Sequence, residues 1–227
     1  YEDRSGLLWI GTYGGGIDKV DRVTRQFNLY DHDPGAANSL SHPIVWSIYE
    51  DQAGILWIGT HGGGLNRYDR QTNQWQHYRH DPGDPGSLSD DIVRVVYEDR
   101  SGMLWIGTHG GGINKFDRKN EKFTRYLHVP NNPASLSRNE IRCIYEDRAG
   151  VLWIGTYGGG LDKFVSGDET GSPATFVHFR NDPQNPSSLS NDFVRTIYED
   201  NSGAFWIGTE GGGLNKFDRE TGKFVHY

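Results

Sequence analysis

An all-β fold, a β-propeller of four-stranded antiparallel blades, is predicted by three features of this sequence. The first is the motif Leu-Trp-Ile-Gly-Thr-x-Gly-Gly-Gly, which occurs five times with little change. The second is its spacing, which is 48 residues except for a last step of 53, as the tryptophans show: Trp9, Trp57, Trp105, Trp153 and Trp206. A period of this size along a whole chain is typical of propellers and solenoids. The third is alternation with period two in short segments, which excludes helical repeats.

The unit at residues 92–126 shows each element in order. β-Branched and aromatic residues favour strands, and Asp99 and Gly102 favour a tight turn between the first two strands. The glycines at 110–112 suit a reversal with positive φ between the second and third strands, and a polar turn precedes the fourth. The predicted strands are 92–97, 103–108, 113–117 and 122–126. Four such strands form one blade.

A longer polar connection, rich in proline and glycine, joins one unit to the next. We expect a leucine in each connection to fill an apolar gap between blades: Leu40, Leu88, Leu136 and Leu189. The repeated tryptophans should pack in the core between adjacent blades. The sequence predicts a single propeller domain over 1–227, with approximate repeats at 1–35, 36–83, 84–131, 132–184 and 185–227. An insertion at 165–173 accounts for the longer last step and is expected on the face opposite the blade connections.

Composition excludes several classes of protein. The formal charge is -7 and no basic run occurs, so the electrostatic signature of a nucleic-acid-binding protein is missing. No stretch approaches 18 consecutive apolar residues, so we expect no membrane insertion by this segment. Cys143 is the only cysteine, which excludes an internal disulfide. The chain begins at Tyr1 in the middle of a repeat, and we expect it to be a piece of a longer protein.

The repeats resemble a known family, the two-component regulator propeller repeat. The resemblance rests on Ser-Leu-Ser, then Ile-Tyr-Glu-Asp-x-x-Gly-x-Leu-Trp-Ile-Gly-Thr, then Gly-Gly-Gly-Leu-x-x-x-Asp, and it covers nearly the whole chain. It implies a sensor region of a bacterial signalling protein such as a hybrid histidine kinase, in the periplasm or outside the cell. It implies no signalling activity in this segment.

The first strand is complete in four repeats only, and Tyr1 to Asp3 form the end of a fifth. Two interpretations remain open: a closed five-bladed ring, or five blades of a larger propeller. An open array would expose two apolar blade faces and predicts self-association.

Two sets of side chains vary among nearly invariant neighbours and should converge on one face, around the central channel. The first set follows Trp-Ile-Gly-Thr and comprises Tyr13, His61, His109, Tyr157 and Glu210. Three interpretations are open: exposed turn residues without a role, ligand contacts by stacking and hydrogen bonding, or, least favoured, a metal site formed by His61, His109 and Glu210. The second set lies on the innermost strands and comprises Trp46, Arg94, Arg142 and Arg195. It forms either an anion-binding mouth or structural ion pairs, with Asp91, Glu50, Glu98, Glu146 and Glu199 as candidate partners.

No hydrolase, metalloprotease or phosphate-loop motif occurs, so we predict no enzyme activity, no catalytic residue and no cofactor. The favoured function is a non-catalytic sensor module that binds a small molecule, such as an oligosaccharide or anion, on the channel face. The alternative is a protein-interaction scaffold, or a propeller segment that self-associates through its open blade faces. Lyase or hydrolase activity is the least favoured function.

Overall fold

The computed structural model describes residues 1–167 and 173–227, and these residues form strands and turns without a helix. The strands build five antiparallel sheets, one of three strands and four of four. Two compact units are distinguished, unit 1 (Tyr1–Thr108 and Asn114–Arg125) and unit 2 (His109–Ile113 and Tyr126–Tyr227). The predicted all-β fold of four-stranded antiparallel blades is confirmed, whereas the assignment of one domain with these repeat boundaries stays a prediction.

Each sheet is a blade in which consecutive strands are neighbours. Blade 1 has β1 (Leu8–Gly11), β2 (Ile17–Asp21) and β3 (Gln26–Tyr30), and blade 2 has β4 (Val45–Glu50), β5 (Leu56–Thr60), β6 (Leu65–Asp69) and β7 (Gln74–Tyr78). Blade 3 has β8 (Val93–Glu98), β9 (Leu104–Thr108), β10 (Ile113–Asp117) and β11 (Lys122–Tyr126). Blade 4 has β12 (Ile141–Glu146), β13 (Leu152–Thr156), β14 (Leu161–Val165) and β15 (Thr175–Phe179), and blade 5 has β16 (Val194–Glu199), β17 (Phe205–Thr209), β18 (Gly213–Asp218) and β19 (Lys223–His226).

In blade 1, the residues before β1 take the place of the end of a first strand. Glu2 forms an isolated bridge to Leu8, and the Trp9 amide donates to the Tyr1 carbonyl. This matches the interpretation of Tyr1 to Asp3 from the sequence.

Neighbouring blades pack through the tryptophan of one blade and the apolar face of the next. In unit 1, Trp9 shares a core cluster with Leu56 and Tyr68 of blade 2, and Trp57 lies 5.6 Å from Phe116 of blade 3. In unit 2, Trp153 lies 5.3 Å from Phe205 of blade 5. The core role predicted for these tryptophans is confirmed in both units.

A polar lock accompanies this packing and was missed in the sequence. In every blade an aspartate six residues before the tryptophan accepts a hydrogen bond from the indole Nε1 at 2.8–2.9 Å. For three of these aspartates, Asp3, Asp51 and Asp147, an arginine after the third strand of the next blade reaches the aspartate and a glutamate of its own blade. Arg118, for example, contacts Asp51 at 3.4 Å and Glu98 at 2.7 Å. The lock therefore ties two blades by charge as well as by apolar contact.

The connections between blades are held by leucines and by a buried amide. Leu40, Leu88, Leu136 and Leu189 are fully buried, and Leu40 packs with residues of both blade 1 and blade 2. In blade 2, Asn66 Oδ1 accepts from the Ser41 amide, which fixes the connection to the sheet. Of the insertion predicted at 165–173, residues 168–172 lie outside the described residues. No helix long and apolar enough to cross a membrane is found in the described part of the chain.

Candidate ligand-binding surface

Backbone bridges between blades bring the two predicted sets of variable residues together within each unit. Tyr13 bridges to Ile44 and His61 to Ile92 in unit 1, and Tyr157 bridges to Phe193 in unit 2. These three residues, which follow Trp-Ile-Gly-Thr, therefore lie beside the start of the next innermost strand. The glycines that follow His61 take part in this approach, since the Gly62 and Gly64 amides both donate to the Asp91 carbonyl, at 3.0 Å and 2.9 Å.

In unit 1, four predicted residues form what we call the Trp46 cluster: Tyr13, Trp46, His61 and Arg94. The Tyr13 and His61 rings meet the Trp46 ring edge-on, at centroid distances of 6.2 Å and 5.9 Å. The Arg94 guanidinium lies over the same indole, 4.1 Å from its centre. Trp46 is 39% exposed and Tyr13 is 80% exposed, so the cluster presents aromatic surface to solvent.

The imidazole rings of His42 and His61 lie next to each other at the Trp46 cluster. The His42 and His61 rings are 6.2 Å apart, and His42 Nδ1 accepts a hydrogen bond from the Ile44 amide at 3.1 Å. Burial, and to a lesser degree the nearby His61, lower the pKa of His42, so its ring stays neutral at physiological pH. His61 Nδ1 is buried and has no hydrogen-bond partner among the described residues. A buried polar atom left without a partner costs about 1–3 kcal/mol.

In unit 2, the ring of Tyr157 is surrounded by two other predicted residues, Arg142 and Arg195, and by Phe193, which was not predicted. We call these four residues the Tyr157 cluster. The Arg142 guanidinium lies 4.5 Å and that of Arg195 5.9 Å from the centre of the Tyr157 ring. Phe193 meets the same ring edge-on at 4.5 Å. The sequence reasoning missed Phe193, although its position varies among the repeats as Ile44, Ile92, Glu140 and Phe193.

Two glutamates compensate the arginines of the Tyr157 cluster. Glu140 pairs with Arg142 and also lies 3.1 Å from Nδ1 of His109. Glu210, itself one of the predicted residues, pairs with Arg195. Repulsion between the two cations is thus relieved by acids of the same surface, and the net charge of this cluster is close to zero.

The acids proposed from the sequence as structural partners of these arginines have other roles. Glu50, Glu98 and Glu199 pair with Arg70, Arg118 and Arg219 in the locks between blades. Asp91 accepts a hydrogen bond from the His80 amide. The choice of acidic partners was therefore wrong for Arg142 and Arg195. These arginines pair instead with Glu140 and Glu210, two acids at positions that vary among the repeats.

Among residues 1–167 and 173–227, no group of three or more histidine, cysteine, aspartate or glutamate side chains is arranged to hold a metal ion. His61 lies beside the Trp46 ring, and His109 lies 3.1 Å from Glu140.

Comparison with known proteins bears on the identity of the repeats. The family model for the two component regulator propeller matches four segments, at residues 39–62, 87–110, 135–158 and 188–211. These four segments are two-component regulator propeller repeats. No match is found among curated protein sequences.

Solved structures are similar to this chain over nearly its whole length. It is similar to the extracellular domain assigned to the hybrid two component system BT3049 from B. thetaiotaomicron, with 30% identity and a TM-score of 0.80 over 99% of this chain. The extracellular domain assigned to the one component system BT4673 of the same organism is 26% identical, with a TM-score of 0.73 over 100% of this chain. The chain spans 29% and 30% of these two domains.

More distant neighbours share the fold alone. Virginiamycin B lyase from Staphylococcus aureus is 16% identical, with a TM-score of 0.68 over 100% of this chain and 68% of its own. A gluconolactonase from Xanthomonas campestris is 13% identical, with a TM-score of 0.62 over 97% of this chain and 71% of its own. Since fold does not imply function, these enzymes say nothing of activity here.

Proposed function

We propose that this chain is part of the sensor propeller of a bacterial two-component signalling protein, located in the periplasm or outside the cell. In this proposal it binds a small ligand, an oligosaccharide or organic anion, without transforming it. The repeats and the extracellular neighbours at 26–30% identity support the sensor role. The ligand site is inferred from the side chains that the two units expose.

The observation that carries the proposal is the Trp46 cluster. A partly exposed indole flanked by two rings offers aromatic surface for contact with the C–H groups of a sugar. The guanidinium of Arg94 over that indole adds a planar set of donors matched to carboxylate or paired hydroxyl groups.

The Tyr157 cluster has the same components with a different charge balance. Its two arginines are already paired with Glu140 and Glu210, so a ligand carboxylate would compete with acids of the protein. We therefore assign contact with neutral polar groups to the Tyr157 cluster.

A recognition role fits these groups better than catalysis. General acid–base chemistry needs a titratable side chain placed on the reacting atom. The acids of the Tyr157 cluster are engaged in ion pairs, and the one imidazole of the Trp46 cluster, His61, packs edge-on against the Trp46 ring with its Nδ1 buried.

The test is a binding screen with matched variants. Neutral and uronic-acid-containing oligosaccharides are added to the protein, and Tm and calorimetric affinity are measured. A ligand at 100 times its Kd stabilises the folded state by about 2.7 kcal/mol. Trp46→Leu should abolish binding, and Arg94→Gln should weaken acidic ligands roughly tenfold more than neutral ones. Trp75→Phe, on the opposite edge strand of the same sheet, is the control and should bind like the wild type.

Two outcomes count against the proposal. One is a panel in which no oligosaccharide or organic anion raises the Tm. The other is a Trp46→Leu variant that binds with unchanged affinity, which would place the site elsewhere.

A further inference from the structure

A pocket of about 490 Å³ lies beside the outermost strands of blades 4 and 5, within unit 2. The end of β15, the connection between the two blades and the turn before β19 line it. It includes two cations, Arg180 and Lys223, and one acid, Asp182. Burial lowers the pKa of His178, which also lines the pocket, so this ring is neutral at physiological pH. The side chains around the pocket therefore carry a net positive charge.

The boundary between blades 2 and 3 has the same arrangement with its charges paired. There, Asp84 Oδ1 accepts a hydrogen bond from the Gly86 amide, and Asp84 Oδ2 pairs with Lys122 Nζ, both at 2.8 Å. The backbone follows the same path in blade 5, since the amide after the lysine donates to the connection at 2.8 Å in both blades. The residues that correspond to Asp84, Gly86 and Lys122 are Asn185, Ser187 and Lys223.

The exchange of aspartate for asparagine replaces an acceptor by a donor. Asn185 Oδ1 accepts a hydrogen bond from the Ser187 amide at 3.0 Å. Asn185 Nδ2 therefore takes the place of Asp84 Oδ2, and an NH₂ group has no lone pair to offer the lysine. Neither the Lys223 ammonium nor the Arg180 guanidinium forms a hydrogen bond or an ion pair within the part of the chain that the structure describes. Three donors thus border the pocket without an acceptor.

This edge of a blade stays accessible when another blade follows. Gln74 of blade 2 corresponds to Lys223, and it is exposed although blade 3 packs against blade 2 in unit 1. The pocket itself lies on the side of blade 5 that meets blade 4. A blade packed on the other side of blade 5 would therefore leave it open.

We propose that Asn185, Lys223 and Arg180 form an oxyanion site, the Lys223 pocket, which binds a phosphate or sulfate group. The anion would accept hydrogen bonds from Lys223 Nζ and Asn185 Nδ2, in the place that a carboxylate oxygen fills between blades 2 and 3. The planar guanidinium of Arg180 supplies further donors of a kind that matches such groups. The one acid of the pocket, Asp182, is held by its own turn, where the Gln184 amide donates to Oδ1 at 2.9 Å.

This site goes beyond the proposed function and is independent of it, because the Trp46 cluster belongs to unit 1 and the Lys223 pocket to unit 2. Titration of isotope-labelled protein with inorganic phosphate or sulfate, followed by amide chemical shifts in NMR spectra, tests it. At constant ionic strength, with sodium chloride as the blank, the Ser187 amide and the Asn185 side-chain amide should shift in a saturable way.

Two variants remove the site by different routes. Asn185→Asp recreates the ion pair seen at Lys122 and should weaken phosphate binding roughly tenfold or more. The fold should tolerate this change, because Asp84 occupies the same turn. Lys223→Gln removes the ammonium and should weaken binding by roughly tenfold. The Ser187 amide reports binding in both variants.

The controls keep the site and change other groups. Lys216→Gln removes the same charge from blade 5, where Lys216 lies over the Trp206 ring, and should bind phosphate like the wild type. Trp46→Leu should also leave the Ser187 shifts unchanged. Phosphorylated glucose, with glucose as its blank, distinguishes two sources of the anion. Affinity equal to that of inorganic phosphate indicates a free anion, and tighter binding indicates a group carried on a sugar.

Two results overturn the proposal. One is the absence of a saturable shift at Ser187 with phosphate, sulfate and phosphorylated glucose alike. The other is an Asn185→Asp variant that binds phosphate with the affinity of the wild type, which would show that the missing acceptor does not create the site.

Discussion

Replacing Asp162 by asparagine should stabilise the protein at and above neutral pH. Asp162 is fully buried in β14 of blade 4. At the same position, blades 2, 3 and 5 have an asparagine: Asn66, Asn114 and Asn215. Each asparagine Nδ2 donates to a strand carbonyl at 3.3 Å. Asp162 keeps the hydrogen bond from the Ser137 amide to Oδ2, but Oδ1 has no hydrogen-bond partner among the described residues. Desolvation raises the pKa of this carboxyl to about 7.

The magnitude follows from the difference between the folded and unfolded pKa. A rise from 3.8 to about 7 corresponds to about 4 kcal/mol, at 1.36 kcal/mol per pH unit. Because the folded pKa lies above the unfolded value, the folded state holds the extra proton between about pH 4 and pH 7. The free energy of unfolding therefore falls as the pH rises through that range and is level above it. The variant should be more stable than the wild type by up to about 4 kcal/mol at pH 8, and a restored amide hydrogen bond adds about 1 kcal/mol.

Urea unfolding followed by tryptophan fluorescence from pH 5 to pH 8 measures this effect. His178 Nε2 lies 3.9 Å from Oδ1, and burial lowers the pKa of His178, so its own contribution to stability is lost as the pH falls. The difference between variant and wild type cancels much of that contribution. Asn114→Asp is the reverse change in blade 3 and should destabilise the protein at pH 8. The reasoning is refuted if Asp162→Asn is the less stable protein at pH 8, or if the difference does not change with pH.

Three further predictions concern the scaffold. Asp51→Ala removes a buried acceptor of the Trp57 indole and should lower the free energy of unfolding by about 2–4 kcal/mol in urea titrations; an effect below 1 kcal/mol would show that the lock is dispensable. Gly63→Ala would place a Cβ 2.3 Å from Ser41 Oγ and 2.9 Å from its carbonyl carbon, and should lower the Tm by several degrees in calorimetry; an unchanged Tm would contradict the close approach. Burial raises the pKa of the Cys143 thiol to about 12, so iodoacetamide at pH 8 should alkylate the folded protein far more slowly than the urea-unfolded protein, as mass spectrometry will show.

The architecture was predictable because the repeat copies the same local rules five times. In the unit at 92–126, the third and fourth strands were predicted with the bounds that the structure gives, and the first two begin one residue later than predicted. Period-two alternation and turn chemistry act over a few residues. The repeated Leu88 and Trp105 could be assigned to the core because a side chain that recurs in every blade meets the same neighbours each time.

The polar partners were harder to predict, since they depend on distances between blades. Glu98 was a candidate partner for Arg94, but the structure pairs it with Arg118, which also reaches Asp51 of blade 2. The bond between indole and aspartate could have been predicted, because an aspartate precedes each tryptophan by six residues. Asp99 was instead assigned only to the turn, and its bond to the Trp105 indole was missed. Glu140 and Phe193 occupy one variable position, and that variation could have drawn attention to both.

The sequence by itself determined the blade, its strand order and its buried side chains, because these follow from short-range periodicity repeated without interruption. Only the tertiary structure decided how the variable residues combine. Trp46 meets Arg94 and Tyr157 meets Arg195 across blade boundaries, at 4.1 Å and 5.9 Å, and Arg142 of the same blade lies 4.5 Å from the Tyr157 ring. The raised pKa of Asp162 was likewise decided by the tertiary structure, because it results from the desolvation of a buried carboxyl. The neighbouring blades have asparagine at this position.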